Sequence, residues 1–259
     1  MSTPNSFDTN ALVNQVAVVT GAAGGLGLSI CEQLKQMGAT VVMVDVSYGE
    51  TPEESEQGIQ VQCDIGNPDA VAKMGQFVQT RFGRCDVLVN NAAVGANPVA
   101  LEDFPIDLWD KMFNINLRGA LLCAQALVPM MFERQSGSIV NVSSIAAQVA
   151  TKIGAYGPTK SGLLGLTRQM AVEWGPRGIR TNAISPGMIL TPLSEGYYRD
   201  PEKKQQRINS IPTRRIGQPQ DIADAVGFLA CNASIYVNGQ DIVVDGGFLK
   251  ASLTNLYGT

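Results

Sequence analysis

Apolar residues fall in short, near-continuous runs along the chain: Val16–Thr20, Thr40–Val46, Ile59–Cys63, Asp86–Asn90, Ser138–Val142, Arg180–Ile184 and Asp241–Val244. Runs of this kind are expected of strands covered on both faces, as in a parallel sheet. Between them, residues 25–37, 68–82, 107–134, 157–175, 195–210 and 219–231 carry helical spacing. Pro68 suits a first helical position, with Asn67 as its cap. Regular strand–helix alternation predicts an α/β fold: a single-domain, Rossmann-type, doubly wound parallel sheet of about seven strands with helices on both faces. No linker, repeat or low-complexity tract divides the chain. Residues 1–13 read as an N-terminal tail and 14–259 as one domain.

The 259 residues are 45% hydrophobic and 16% charged, which is enough apolar material for a substantial core. Histidine is absent. That excludes a Ser-His-Asp triad, a Cys-His pair and any metal site needing imidazole, so acid–base chemistry must use another group with a shifted pKa. The five cysteines (31, 63, 85, 123 and 231) are widely spaced and sit mostly in apolar runs. This predicts reduced, buried thiols rather than a disulfide framework or metal site. Met1–Val13 lacks a basic start and an apolar h-region, and the longest apolar stretch, Ala120–Phe132, is interrupted by Gln125 and Pro129. A cytoplasmic protein with no membrane partner is expected. No cluster of Lys and Arg suggests a nucleic acid.

Charge is unevenly spread. Residues 1–72 hold one cation, Lys35, against nine acids, whereas the remainder is net positive. The acidic part coincides with Thr20-Gly-Ala-Ala-Gly-Gly-Leu-Gly27, which joins the first strand to the first helix. Gly21 permits a tight turn, Gly25 lets backbone approach a pyrophosphate, and Gly27 allows helix to pack closely on strand, with Leu26 between them. Asp45, about 20 residues on, ends the second strand, where a carboxylate can accept hydrogen bonds from an adenosine ribose. No Lys or Arg lies in the turn or just after that strand, and Glu50, Glu53, Glu54 and Glu56 follow. A 2′-phosphate would be repelled there, so NAD is the expected cofactor.

Further along, strand ends carry Asn90-Asn91-Ala92-Ala93, Asn141-Val-Ser143-Ser144 and Ser185-Pro186-Gly187-Met-Ile189-Leu-Thr191-Pro192; Asn114-Ile-Asn116 and Tyr156-Gly-Pro-Thr-Lys160 lie between them. Pro158 is tolerated only if its helix starts there, leaving Tyr156 at the positive end of the dipole. With these motifs in this order, the sequence resembles the short-chain dehydrogenase/reductase family over roughly Asn14 to Lys250. The resemblance also covers the Asp64 turn and the last strand, through Asp245-Gly-Gly247.

The resemblance implies a catalytic set of Asn116, Ser144, Tyr156 and Lys160, no metal, and a homotetramer. Tyr156 would exchange a proton with the substrate oxygen. Lys160 would favour its phenolate and hold the nicotinamide ribose. Ser144 would bond the substrate oxygen and Asn116 would anchor a water. Neighbouring strand residues face opposite ways, so only one of Ser143 and Ser144 can serve. The family's serine is usually second in the pair, which selects Ser144, but its usual spacing to the tyrosine favours Ser143. Asp64 and Ile65 match the adenine-contacting turn. Asn91, Ala92 and Ala93 match the segment over the cofactor, Ala93 replacing a usual glycine. Pro186, Gly187, Ile189 and Thr191 match the nicotinamide contacts.

The expected reaction is NAD(H)-dependent interconversion of a secondary alcohol (a polyol, sugar or cyclic alcohol) and its ketone. A 3-oxoacyl-thioester reductase and a non-catalytic dinucleotide sensor are the alternatives. Val94–Asn97, residues 145–153 and a lid at about 188–214 should form the substrate pocket, with Asn97, Gln148 and Lys152, or Ile153, Met188 and Leu193, as contacts. Leu121, Leu122, Leu127, Leu163, Leu166, Met170 and Trp174 offer apolar surface for a self-complementary helix interface.

Overall fold

A computed structural model describes residues 10–192 and 194–251. Eight strands form one sheet: β1 (Val16–Thr20), β2 (Thr40–Asp45), β3 (Glu53–Glu54), β4 (Ile59–Gln62), β5 (Val87–Asn90), β6 (Gly137–Val142), β7 (Ile179–Pro186) and β8 (Asp241–Val244). The order is β3-β4-β2-β1-β5-β6-β7-β8, and every pair except β3–β4 is parallel. Seven strands lie where the apolar runs predict them. The eighth, β3, is an exposed Glu-Glu pair on the sheet edge, too short and too polar to leave a hydrophobic pattern.

The sheet is covered on both faces. Val16 and Val18 of β1 face one way, towards Val71 and Met74 of α2 (Pro68–Phe82), Leu127 and Met131 of α4 (Ala120–Arg134) and Met170 of α5 (Tyr156–Trp174). Ala17 and Val19 face the other way, towards Ile30 and Leu34 of α1 (Gly25–Gln36) and Ile222 and Val226 of α7 (Pro219–Ala230). This two-sided burial explains why β1 is buried at every position, with four apolar residues in a row before Thr20 instead of an alternating pattern. Leu12 is fully buried in the same core and its N–H donates to Met37, so the packed body begins before Asn14. All five cysteines are free and buried.

Two predicted helices are subdivided. The stretch 107–134 consists of α3 (Ile106–Phe113), a π-turn at Asn114–Gly119 and α4. Together these make a continuous 29-residue helix, Ile106–Arg134, long and apolar enough by composition to cross a membrane. Half of its most apolar window is buried inside the fold, where Cys123, Leu127 and Met131 pack on the sheet. The stretch 195–210 breaks into a 3₁₀ turn, Glu195–Tyr198, and α6 (Pro201–Ser210). The Asp200 side chain accepts from the Glu202 and Lys203 amides, capping a new helix start. No residue of α6 is buried.

Strand order reverses at β1: β2 lies on one side and β5 on the other. In a doubly wound sheet this switch point opens a crevice at the carboxyl ends of the strands. The glycine turn after β1 and the Asn90–Ala93 segment after β5 therefore flank one cleft.

Candidate active site

The glycine turn is shaped by close approaches. Gly21 has φ +66°, and a Cβ there would lie 2.7 Å from the Ala92 Cα. A Cβ on Gly27 would lie 2.0 Å from the Gly21 carbonyl oxygen, so only glycine lets α1 meet the turn. Gly25, at φ +55°, has Thr191 as its nearest neighbour, at 3.7 Å from a built Cβ. Gly25 and Thr191, far apart in sequence, thus bring together the turn after β1 and the segment after β7 across one cleft. Open space around Gly24 and the left-handed Gly25 leave a backbone cradle at the N-terminus of α1, where amides and dipole favour phosphate. The residues present fit a dinucleotide.

Asp45 sits at the end of β2 beside the glycine turn. Its carboxylate accepts from the Ala23 amide at 3.1 Å and from the Ser47 amide and hydroxyl at 3.0 and 2.8 Å. Thr20 fastens the β5 side: its hydroxyl accepts from the Asn91 and Ala92 amides, both at 3.1 Å, while the Asn91 side chain donates to the Thr20 and Gly21 carbonyls. Thr20 was visible only as the first letter of the glycine motif, and its clamping role has no sequence signal of its own. Asp64 accepts from the Gly66 amide, and Ile65 is buried against Gly119. Gly187 packs against the Asp245 backbone, where a Cβ would lie 2.6 Å away. Ile189 is buried, and Thr191 exchanges hydrogen bonds with Ser194 in a tight turn. Pro186 ends β7. Ala93 is exposed beside these groups and Leu26 is partly buried in the first turn of α1.

Helix α5 begins at Tyr156, which places Pro158 in its first turn and Tyr156 at the positive end of its dipole. Phe104, Met112 and Ala155 form a separate buried cluster, against which the Tyr156 ring and Val94 pack. Ser144 lies beside the Tyr156 phenol and acts to lower its pKa, and its hydroxyl accepts from the Ala146 amide at 3.1 Å. Ser143 faces away: it is buried, and its hydroxyl donates to the Lys160 carbonyl at 3.1 Å. The two hydroxyls are thus separated by strand alternation.

Lys160 is 2% exposed and its ammonium donates to the Val142 carbonyl at 2.7 Å. Burial depresses its pKa to about 8. Burial also pushes the Tyr156 phenol up, opposed by the Ser144 hydroxyl. The Lys160 nitrogen stands 5.7 Å from the Tyr156 ring centroid and is turned towards β6.

Asn116 lies within the π-turn and is 1% exposed. Its side chain is committed on both ends: the oxygen accepts from the Val94 amide at 2.8 Å, and the nitrogen donates to the Val94 carbonyl and the Thr159 hydroxyl. The side chain therefore clamps the 94 loop to α5. Gln148, a proposed substrate contact, donates to Asp241 at 2.7 Å. A cavity of about 740 Å³ lies beside the start of α5, lined by residues 98–101, Trp109 and residues 146–152. It includes Gln148 and Lys152 of the proposed contacts, but not Asn97, Ile153 or Met188; Leu193 lies outside the described residues.

Comparison with known proteins agrees with this geometry. A family model described as enoyl-(acyl carrier protein) reductase matches residues 21–249. The chain is 37% identical to 2-(R)-hydroxypropyl-CoM dehydrogenase of Xanthobacter autotrophicus, over 91% of this chain and 99% of that protein. It is 36% identical to D-threitol dehydrogenase of Mycolicibacterium smegmatis, over 92% and 94%. The crystal structure of levodione reductase superposes with TM-score 0.85 at 31% identity, covering 93% of this chain and 99% of that one. The chain belongs to the short-chain dehydrogenase/reductase family and is an oxidoreductase that uses a nicotinamide dinucleotide.

Proposed function

We propose that this enzyme uses NAD(H) to interconvert a secondary alcohol and its ketone, with Tyr156 as the acid/base. The observation that carries the reading is the juxtaposition of Ser144, Tyr156 and buried Lys160 at the carboxyl edge of the sheet, beside the glycine cradle. The bound dinucleotide supplies the carbon that accepts or returns hydride. Gly21, Gly25 and Gly27 shape its phosphate site, Leu26 lies between the last two, and Asp45 takes the adenosine ribose. Asp64, Ile65, Asn91, Ala92 and Ala93 line its adenine side and upper face; Pro186, Gly187, Ile189 and Thr191 line its nicotinamide side. Ser144 donates to the substrate oxygen while the Tyr156 phenol gives or takes the proton there. Lys160 supplies positive charge behind the tyrosine and further N–H donors for a ribose. Asn116 fixes the 94 loop against α5.

NAD rather than NADP follows from the Asp45 carboxylate beside the turn, since a 2′-phosphate would add like charge there. The acyl-carrier wording of the matched family model raises an acyl-thioester reading, which the same carboxylate disfavours if the cofactor is NADPH. The substrate is proposed to be a polyol, sugar or cyclic alcohol, and α6 with its flanking turn to act as a lid. The protein is proposed to be cytoplasmic and homotetrameric. Leu127, Leu163 and Met170 are core residues and leave the interface argument. Leu121, Leu122, Leu166 and Trp174 are only partly buried, and Leu121 and Leu166 line a groove with Phe113, Leu117, Gly162 and Gly165. Screening NAD⁺ reduction over sugars, polyols, cyclic alcohols and hydroxy acids tests the reaction; light scattering tests the assembly.

A further inference from the structure

Two hydrogen bonds converge on the carboxylate of Asp241, the first residue of β8. Gln148 Nε2 donates to one oxygen at 2.7 Å, and the Ser185 hydroxyl donates to the other at 2.6 Å. Ser185 is fully buried and immediately precedes Pro186 and Gly187. Gln148 closes the short turn that Ser144 opens. The same turn is held from the α5 side by the Ser161 hydroxyl, which donates to the Ala147 carbonyl at 2.8 Å. No Lys or Arg among the described residues pairs with Asp241. Both bonds are short, as bonds to a carboxylate are.

We infer that Asp241 is a positioning residue that ties the Ser144 turn to the Ser185–Gly187 segment. It touches neither reacting atom. It fixes the distance between the hydroxyl offered to the substrate and the backbone that faces the nicotinamide, so the inference rests on the alcohol–ketone reading of the site. Gln148 is then a strut, its Nε2 committed to Asp241 at the edge of the cavity. A site held within a few tenths of an ångström needs such supports, because its own side chains are too few to lock each other.

Reversing the polarity of the bond tests this. Gln148→Glu sets carboxylate against carboxylate and breaks the tie. Asp241→Asn alone keeps it, because the Gln148 amide can turn its oxygen to the new NH₂ while the asparagine oxygen still accepts from Ser185. The Gln148→Glu/Asp241→Asn pair restores the bond with donor and acceptor exchanged. Two readouts are made on the full chain. The first is hydrogen exchange of the Ala146, Ala147, Gln148 and Val149 amides, all bonded within the turn. The second is kcat and KM for an accepted alcohol, alongside the Kd of the dinucleotide.

Gln148→Glu is expected to speed exchange and to lower kcat/KM by about 10- to 100-fold, the range given by losing a hydrogen bond to a charged group. Dinucleotide Kd should stay within about threefold, and the double variant should recover both exchange and turnover. A Gln148→Glu variant that matches wild type, or a double variant as impaired as the single one, overturns the inference. If the wild-type protein turns over no alcohol, the functional reading fails, while the exchange comparison still decides whether Asp241 holds the turn.

Discussion

The carboxylate of Asp45, at the end of β2, accepts a hydrogen bond from the Ala23 amide inside the glycine turn, 3.1 Å away. One acid therefore both shapes the phosphate turn and sets the charge where the adenosine ribose would lie. Wild-type protein should prefer NAD(H) over NADP(H) in steady-state turnover. Asp45→Ser should narrow that preference by about 10- to 100-fold, the loss of hydrogen bonds to a charged group. Comparing kcat/KM for the two dinucleotides checks this, and equal use of both by the wild type contradicts it.

Ser143 and Ser144 separate by their partners. Ser144 lies beside the Tyr156 phenol and acts to lower its pKa, whereas Ser143 donates to the Lys160 carbonyl from a buried position. Ser144→Ala should lower kcat by about 10²- to 10³-fold, as removing a donor to the reacting oxygen does. Ser143→Ala should leave turnover within a few fold and cost about 1 kcal/mol of stability. Kinetics and denaturant unfolding on both variants distinguish the roles.

Lys160 makes stability depend on pH in a defined direction. Its folded pKa of about 8 lies below the ordinary 10.5. Below pH 8 both folded and unfolded chains carry the proton, and burying the charge costs on the order of 3 kcal/mol. Between pH 8 and 10.5 the unfolded chain holds the extra proton, so stability from this group rises with pH. Lys160→Met should abolish turnover yet raise unfolding free energy at pH 7 by about 2 kcal/mol, after losing the bond to Val142. That gain should fade towards pH 10.5. Equal destabilisation at both pH values would contradict the assignment.

Much of the scaffold was legible because burial on both faces forces apolar runs. Every position of β1 is apolar or threonine for that reason, and its bounds fell where the pattern put them. The glycine spacing was equally readable, since Gly21 and Gly27 answer to backbone contacts that no side chain survives. What escaped is what leaves no period. The Glu53–Glu54 strand is polar, and the π-turn around Asn116 differs from α-helix only in its hydrogen-bond spacing. Side-chain commitments escaped too. Gln148 looked free for substrate because Asp241, its partner, lies 93 residues away. Lys160 and Tyr156 are correctly spaced along one helix, but spacing says nothing of the Val142 carbonyl that draws the ammonium towards β6.

The central claim is proton exchange at Tyr156, and Tyr156→Phe tests it most directly. The phenylalanine keeps the ring packed against the Phe104–Met112 cluster and removes only the hydroxyl. With an accepted secondary alcohol and saturating NAD⁺, the single-turnover rate of nicotinamide reduction should fall by about 10²- to 10⁴-fold, the usual contribution of a positioned acid–base group. Dinucleotide affinity should be retained. A variant that binds the dinucleotide and reduces it within a few fold of the wild-type rate would contradict the account.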